Sequence, residues 1–230
     1  SFATLLALFS KKGIGIKHQT ILQDNFSSES LLSGKGLLGK IFLFSFFMEF
    51  IGMIALYFTW NPGTNAPLLE NQFFFSLFHS VSAFNNAGFS LFSNGLQNHV
   101  VQNAYSMHLI LAGLIFFGAV GFPVIDDVFN INRIKKSFKS SLYKLKLSTR
   151  ISLYTTFVLL VFGTLMFYFL EQQNTLNGMT IQGQLITSFF QSITARTAGF
   201  NTVDFSVIGT PMLLIFIFLI FIGASPGSTG

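Results

Sequence analysis

Residues 73–89 read FFFSLFHSVSAFNNAGF, and residues 185–200 read LITSFFQSITARTAGF. Each begins with an apolar run about half as long as a bilayer crossing, which takes about 20 residues. Such runs are re-entrant, interfacial or core segments rather than spans. Each then passes a Ser/Thr-Ala pair and reaches an Ala-Gly-Phe triplet, and the two glycines, Gly88 and Gly199, lie 111 residues apart. Between pair and glycine the first copy carries one residue more.

Longer apolar runs flank both stretches. Residues 41–60, IFLFSFFMEFIGMIALYFTW, stop at Asn61, Pro62 and Gly63, a helix-ending cluster. A second run covers 105–129, with Pro123 and several glycines, and closes on Asp126 and Asp127. Neighbouring membrane helices re-satisfy backbone groups that such residues free. A third covers 151–170. The fourth, 211–222, is short enough that it either breaks inside the bilayer or ends with the sequence, which changes to GASPGSTG at residues 223–230. The order span, half-span, glycine turn, span occurs twice, which points to an internal duplication of the kind common in transport proteins. The expected fold is an all-α polytopic membrane protein of repeated helix, pore loop and helix units. Its segments are 1–37, ahead of the first span; 38–130, one repeat; 131–149, a basic loop; and 150–230, a second repeat that runs into the glycine-rich stretch.

Composition agrees: of 230 residues 51% are hydrophobic and 9% charged, with mean hydropathy +0.62, against roughly 25% charged in a soluble domain. A disordered or collagen-like chain is excluded. Cysteine is absent, so a disulfide scaffold, thiolate zinc site and cysteine nucleophile are excluded too. Seven of the thirteen Lys and Arg fall between Arg133 and Arg150, five precede residue 41, and none lies in 61–103. Basic residues collect in short cytoplasmic loops. Residues 10–38 and 131–149 are therefore expected inside, and 61–103 and 171–209 outside, so both copies cross in the same sense. A nucleic-acid surface is not needed to explain this charge. The basic loop serves topology first, with contact to a cytosolic regulator as its alternative role.

Non-helical backbone at membrane depth survives only where protein buries it or water lines it. Carbonyl oxygens turned to a common axis suit a dehydrated cation, and glycine supplies the dihedral angles that such a turn requires. Gly88 and Gly199 are the central candidates. Asn85, Asn86, Ala87 and Phe89, with Thr197, Ala198 and Phe200, flank them and offer main chain, their side chains packing behind. A half-helix entering from outside aims its negative C-terminal end at the membrane middle, which favours a cation.

On the stretches SAFNNAGFS (82–90), ITARTAGFNTVDFS (193–206) and GASPGSTG (223–230), the sequence resembles the TrkH/TrkG/KtrB family of potassium uptake membrane proteins. That resemblance implies four fused span-pore-span repeats around one potassium pathway, of which this chain holds the second and most of the third, with residues 1–37 the end of the preceding repeat and its cytoplasmic connector, and residues 150–230 a repeat truncated in a glycine-rich intramembrane loop. It implies that Gly88 and Gly199 belong to the selectivity filter. It further implies that Gly223, Ala224, Ser225, Pro226, Gly227, Ser228, Thr229 and Gly230 form an intramembrane gate. Implied partners are the lipid bilayer, the missing first and fourth repeats of a longer chain, a cytoplasmic nucleotide-binding regulatory subunit and a second copy in a homodimer. The implied location is the cell inner membrane; no cofactor is implied, potassium being the transported substrate, with sodium-coupled symport in some relatives.

Among single residues, Glu49 sits mid-span, where an ionisable group is a functional candidate; it is either a structural partner of a neighbouring helix or a pore-facing gating group. No basic residue is expected to share its helix, so it is expected to be neutral or hydrogen-bonded to a neighbouring helix. Arg196 beside the second turn would repel a cation in the path, so it is expected to point away and hold loop carbonyls or a carboxylate, Asp204 or Glu70. Asp204 is also a candidate charge at the outer mouth. His79 and His108 lack the pairing of a metal site and are expected to hydrogen-bond in the core. Asp126 and Asp127 are candidate partners of Arg133 or Lys135. An intramembrane enzyme is a rival reading, but no nucleophile and base converge on Glu49, His108 or Ser225, and no GxxxxGK[ST] loop exists. A non-conducting scaffold leaves the repeated turns without a purpose.

Overall fold

The computed structural model describes residues 34–59, 71–129, 145–225 and 228. Seven α-helices cover most of these residues: α1 Gly34–Thr59, α2 Gln72–Phe84, α3 Tyr105–Val120, α4 Phe122–Val128, α5 Leu147–Glu171, α6 Ile181–Thr197 and α7 Thr210–Ile222. Two 3-10 turns, Gly95–Gln97 and Phe205–Val207, follow α2 and α6. The chain forms two compact units, residues 1–46 and 47–230. The first holds the beginning of α1, and the site is built within the second. The segments expected at 1–33 and most of the basic loop 131–149 lie outside the described residues, as do Glu70, Arg133 and Lys135.

Among the described residues two helices are long and apolar enough to cross a membrane, Gly39–Thr59 and Leu147–Glu171. Their surfaces carry large exposed apolar groups, among them Phe47, Phe58, Tyr154 and Phe169, which suits contact with lipid rather than water. α1 begins seven residues before the expected start, so Lys35 and Lys40 share the helix with Glu49. Lys40 stands nine positions before Glu49 in the sequence.

The second expected span is not one helix. α3 and α4 meet at an angle of 96° across Gly121, whose φ of 86° and ψ of 146° lie where only glycine sits without strain. Pro123 then falls in the first turn of α4, where its missing N–H does no harm. The sequence held both signals, but tolerance of Gly and Pro in membrane helices hid the break. Nor is the second half-span half length: α6 has 17 residues, because the Thr180 hydroxyl accepts from Gly183 N–H at 3.2 Å and starts the helix four residues early. α7 has 13 residues, about 20 Å, and stops at Gly223 with φ 64°.

Two similar contacts lock the short helices to the long ones. Ser80 of α2 donates to the Glu49 carbonyl of α1 at 2.6 Å, and Ser192 of α6 donates to the Leu160 carbonyl of α5 at 2.9 Å. Three residues beyond each carbonyl stands a glycine, Gly52 or Gly163, where a methyl group would strike the same serine hydroxyl and a leucine of the following long element, Leu114 or Leu219. Small residues at such crossings let membrane helices approach closely. Around the second crossing lies a core of Leu159, Phe167, Leu176, Val203, Ile208, Met212, Phe216 and Leu219.

Candidate functional site

Both short helices end where a left-handed residue stops them. In α2 the backbone N–H of Ala87 reaches back to the Ser82 carbonyl at 2.9 Å, and Asn86 turns left-handed with φ 51°. Asparagine tolerates that region better than most side chains. In α6 the Gly199 N–H reaches back to the Thr194 carbonyl at 3.0 Å, and Gly199 itself has φ 77°. Asn86 therefore absorbs the extra residue of the first copy, and Gly88 follows with φ 69°.

Equivalent hydroxyls brace both turns. Ser82 donates to the Phe89 carbonyl at 2.8 Å, and Thr194 accepts from the Phe200 N–H at 2.8 Å. Sequence reading recorded the Ser/Thr-Ala pair as a shared mark without giving these hydroxyls a task.

The two turns meet. The Thr197 hydroxyl donates to Asn86 Oδ1 at 3.2 Å, and a methyl group added at Gly88 would strike the Ala198 carbonyl oxygen. A methyl group at Gly199 would meet no atom within 4 Å, so that glycine borders open space. The following loops meet as well. Gly95 lies against the Asn201 side chain, and Gln97 hydrogen-bonds Asp204. Asp204 accepts from Ser206 through the hydroxyl at 2.7 Å and the N–H at 2.9 Å. The Ser206 side chain first, then its backbone, with a smaller contribution from Gln97, holds the Asp204 carboxyl below the usual carboxylate range.

The flanking side chains divide. Phe200 is buried, facing Phe190 with ring centroids 6.5 Å apart, as expected of a side chain behind the turn. Phe89 is 69% exposed and does not pack behind its turn; Ser82 pins its carbonyl instead, leaving the ring outside. Asn85 donates to Glu49 Oε1 at 2.7 Å and to the Val81 carbonyl at 2.9 Å, so the mid-span carboxylate holds the first residue of the turn. Arg196 donates Nη2 at 2.8 Å and Nε at 3.2 Å to the Gly223 carbonyl. It takes a loop carbonyl rather than Asp204.

Residues 223–225 are tied at two further points. Ser225 N–H donates to the Ala119 carbonyl at 3.1 Å, and its hydroxyl pairs with that of Ser152 at 2.5 Å. Ser228 N–H bonds the Ser225 carbonyl at 3.1 Å. Pro226, Gly227, Thr229 and Gly230 lie outside the described residues.

His79 uses both ring nitrogens, with the Phe75 carbonyl at 3.0 Å and the Ser90 hydroxyl at 3.2 Å. His108 departs from expectation. It packs against Phe190 with centroids 5.3 Å apart, and neither ring nitrogen reaches a partner of normal geometry among the described residues, although the Val101 backbone lies alongside. Asp127 accepts from the Lys146 N–H at 2.9 Å, satisfying an amide at the start of α5. Sequence reading missed Glu171, fully buried at the end of α5. It accepts from Gly209 N–H at 2.9 Å, Asn174 Nδ2 at 2.8 Å and the Thr175 hydroxyl at 3.0 Å, and so fixes the entry to α7. Among the described residues no three His, Cys, Asp or Glu side chains group as metal ligands.

Two short helices ending in abutting glycine turns, among helices long and apolar enough to cross a bilayer, define an all-α multi-pass membrane protein. The TrkH model, described as a cation transport protein, matches residues 1–230, and the chain belongs to that family. It is 38% identical over 230 residues to the Ktr system potassium uptake protein B of Vibrio alginolyticus, covering 99% of this chain and 48% of that protein. It is 34% identical to the protein of the same name from Bacillus subtilis, covering 100% and 49%. With the potassium/sodium uptake protein NtpJ of Enterococcus hirae the identity is 30%, covering 98% and 47%. The chain thus spans about half the length of these relatives. The crystal structure of the potassium transporter TrkH from Vibrio parahaemolyticus shares the fold, with a TM-score of 0.63 at 20% identity over 88% of this chain and 38% of that one.

Proposed function

We propose that this chain is part of a potassium uptake protein and supplies two segments of its selectivity filter. The observation that carries this reading is the meeting of the two turns, Thr197 against Asn86 and Gly88 against the Ala198 carbonyl. Backbone oxygens of residues 85–89 and 197–200 border the pathway, and a cation exchanges water for them without acid-base chemistry. Uptake-protein names among the relatives support potassium as the cargo. Residues 38–130 and 150–230 act as consecutive repeats, and two more repeats of a longer chain complete the enclosure. Residues 223–230 act as the gate. The basic loop 131–149 faces the cytoplasm, where a nucleotide-binding regulatory subunit docks, and the full protein works as a homodimer in the cell membrane.

The test is ion flux into vesicles holding the full-length protein. Rubidium and potassium uptake well above sodium is expected, with the preference lost in Gly199→Ala. Vesicles that take up no alkali cation, or a variant with unchanged preference, contradict the assignment.

A further inference from the structure

Pro123 has a consequence for a residue four positions back. In an unbroken helix the Ala119 carbonyl accepts from the amide of residue 123, and proline has no such hydrogen. The 96° turn at Gly121 leaves that carbonyl at the end of α3, with Ala119 buried. A buried carbonyl without a partner is costly in a membrane protein. Its donor is the Ser225 N–H, 3.1 Å away and 106 residues later in the chain. Two residues before Ser225, the Gly223 carbonyl is turned to Arg196 by a φ of 64° and a ψ of −150°, and it receives two of the guanidinium's donors. Arg196 is 9% exposed and stands in the last turn of α6, three residues before Gly199.

We propose that residues 223–225 are held in place by a latch whose two catches are the Ala119 carbonyl, freed where α3 breaks just before Pro123, and the Arg196 guanidinium, with the Ser152–Ser225 hydroxyl pair alongside them. This rests on the reading of the glycine-rich stretch as a gate. One catch belongs to the break at the end of α3, the other to α6, the helix that carries the second turn, so the loop is coupled to both elements. Releasing it bares the Ala119 and Gly223 oxygens, which water or a passing cation then occupies, so opening does not strand those acceptors. Pro123 and Arg196 are positioning residues, since neither is required to touch the ion.

The experiment uses the full-length protein in vesicles, with any cysteines outside this stretch replaced and Ala224→Cys introduced as a reporter. The rate at which a water-soluble thiol reagent labels Cys at 224 reads the latch, and rubidium uptake in the same vesicles reads the gate. Pro123→Ala supplies a competing amide for the Ala119 carbonyl, and Arg196→Gln removes the charge. Each is expected to raise labelling roughly tenfold or more, the scale set by losing a buried or charge-assisted hydrogen bond. Arg196→Lys, a point donor without the fork, is expected to fall between Gln and parent. Rubidium-over-sodium preference stays at the parent value in Pro123→Ala, which touches no residue of the glycine turns. Labelling within twofold of parent in both Pro123→Ala and Arg196→Gln overturns the latch, and a rise in Arg196→Gln alone removes the Ala119 catch. A parent that labels slowly yet passes no rubidium refutes the gate reading while the labelling still scores the latch.

Discussion

Gly88 and Gly199 occupy matching triplets, yet substitution should affect them differently. A left-handed backbone costs an L-residue roughly 1–2 kcal/mol, and that applies to both, at φ 69° and 77°. Gly88→Ala adds a collision with the Ala198 carbonyl, whereas Gly199→Ala meets nothing within 4 Å. Gly199→Ala is therefore expected to fold and lose ion preference, and Gly88→Ala to lose thermal stability as well. Equal stability of the two variants in a thermal scan would show that the turns do not abut. Asp204 gives a second prediction. Its pKa is lowered by Ser206, so it favours the folded state above its unfolded pKa of about 3.9. That contribution fades as pH falls through the lower folded value. Flux between pH 5 and 8 should show no step from this residue, and Ser206→Ala should move its titration upward by NMR. A flux step in that range that vanishes in Asp204→Asn would contradict this.

Among helices, the repeated crossing of a serine hydroxyl over a glycine makes a matched prediction. Gly163→Ala forces its methyl group onto Ser192, and overpacking of this kind costs roughly 1–3 kcal/mol. Adding Ser192→Ala should restore part of that stability, because the hydroxyl is the nearest atom. Rescue of Gly52→Ala by Ser80→Ala should be weaker, since both Leu114 methyl groups lie within 2.8 Å of the added carbon. Identical rescue at both sites, measured by thermal unfolding in detergent, would refute the packing order. At the start of α5, Asp127→Ala should lower stability by on the order of 1–3 kcal/mol, the range for a hydrogen bond to a charged group. Asp127→Asn keeps an acceptor and should lose less; the same thermal scan decides. Most helices were legible because apolar length and glycine stops mark them directly. The break at Gly121 was not, since Gly and Pro inside a membrane run signal a kink without giving its angle. The side chains that join the helices, Ser80 and Ser192, were hidden for another reason: their partners are backbone carbonyls, which leave no mark on residue type.

For the molecule as a whole, the two Ala-Gly-Phe triplets predicted a duplication, and the structure brings their turns together through Asn86 and Thr197. What the sequence could not supply was which side chains turn inward: Phe89 stays exposed where Phe200 is buried, and at the first turn Ser82 holds the Phe89 carbonyl. The chain belongs to the TrkH cation transport family and spans about half of its relatives' length; under the proposed function its two turns are part of a larger filter. The most direct measurement is anomalous diffraction from crystals of the full-length protein soaked in rubidium. The account expects a rubidium peak beside the main-chain oxygens of the Gly88 and Gly199 turns. Bound rubidium elsewhere along the protein, with none at those turns, would contradict it.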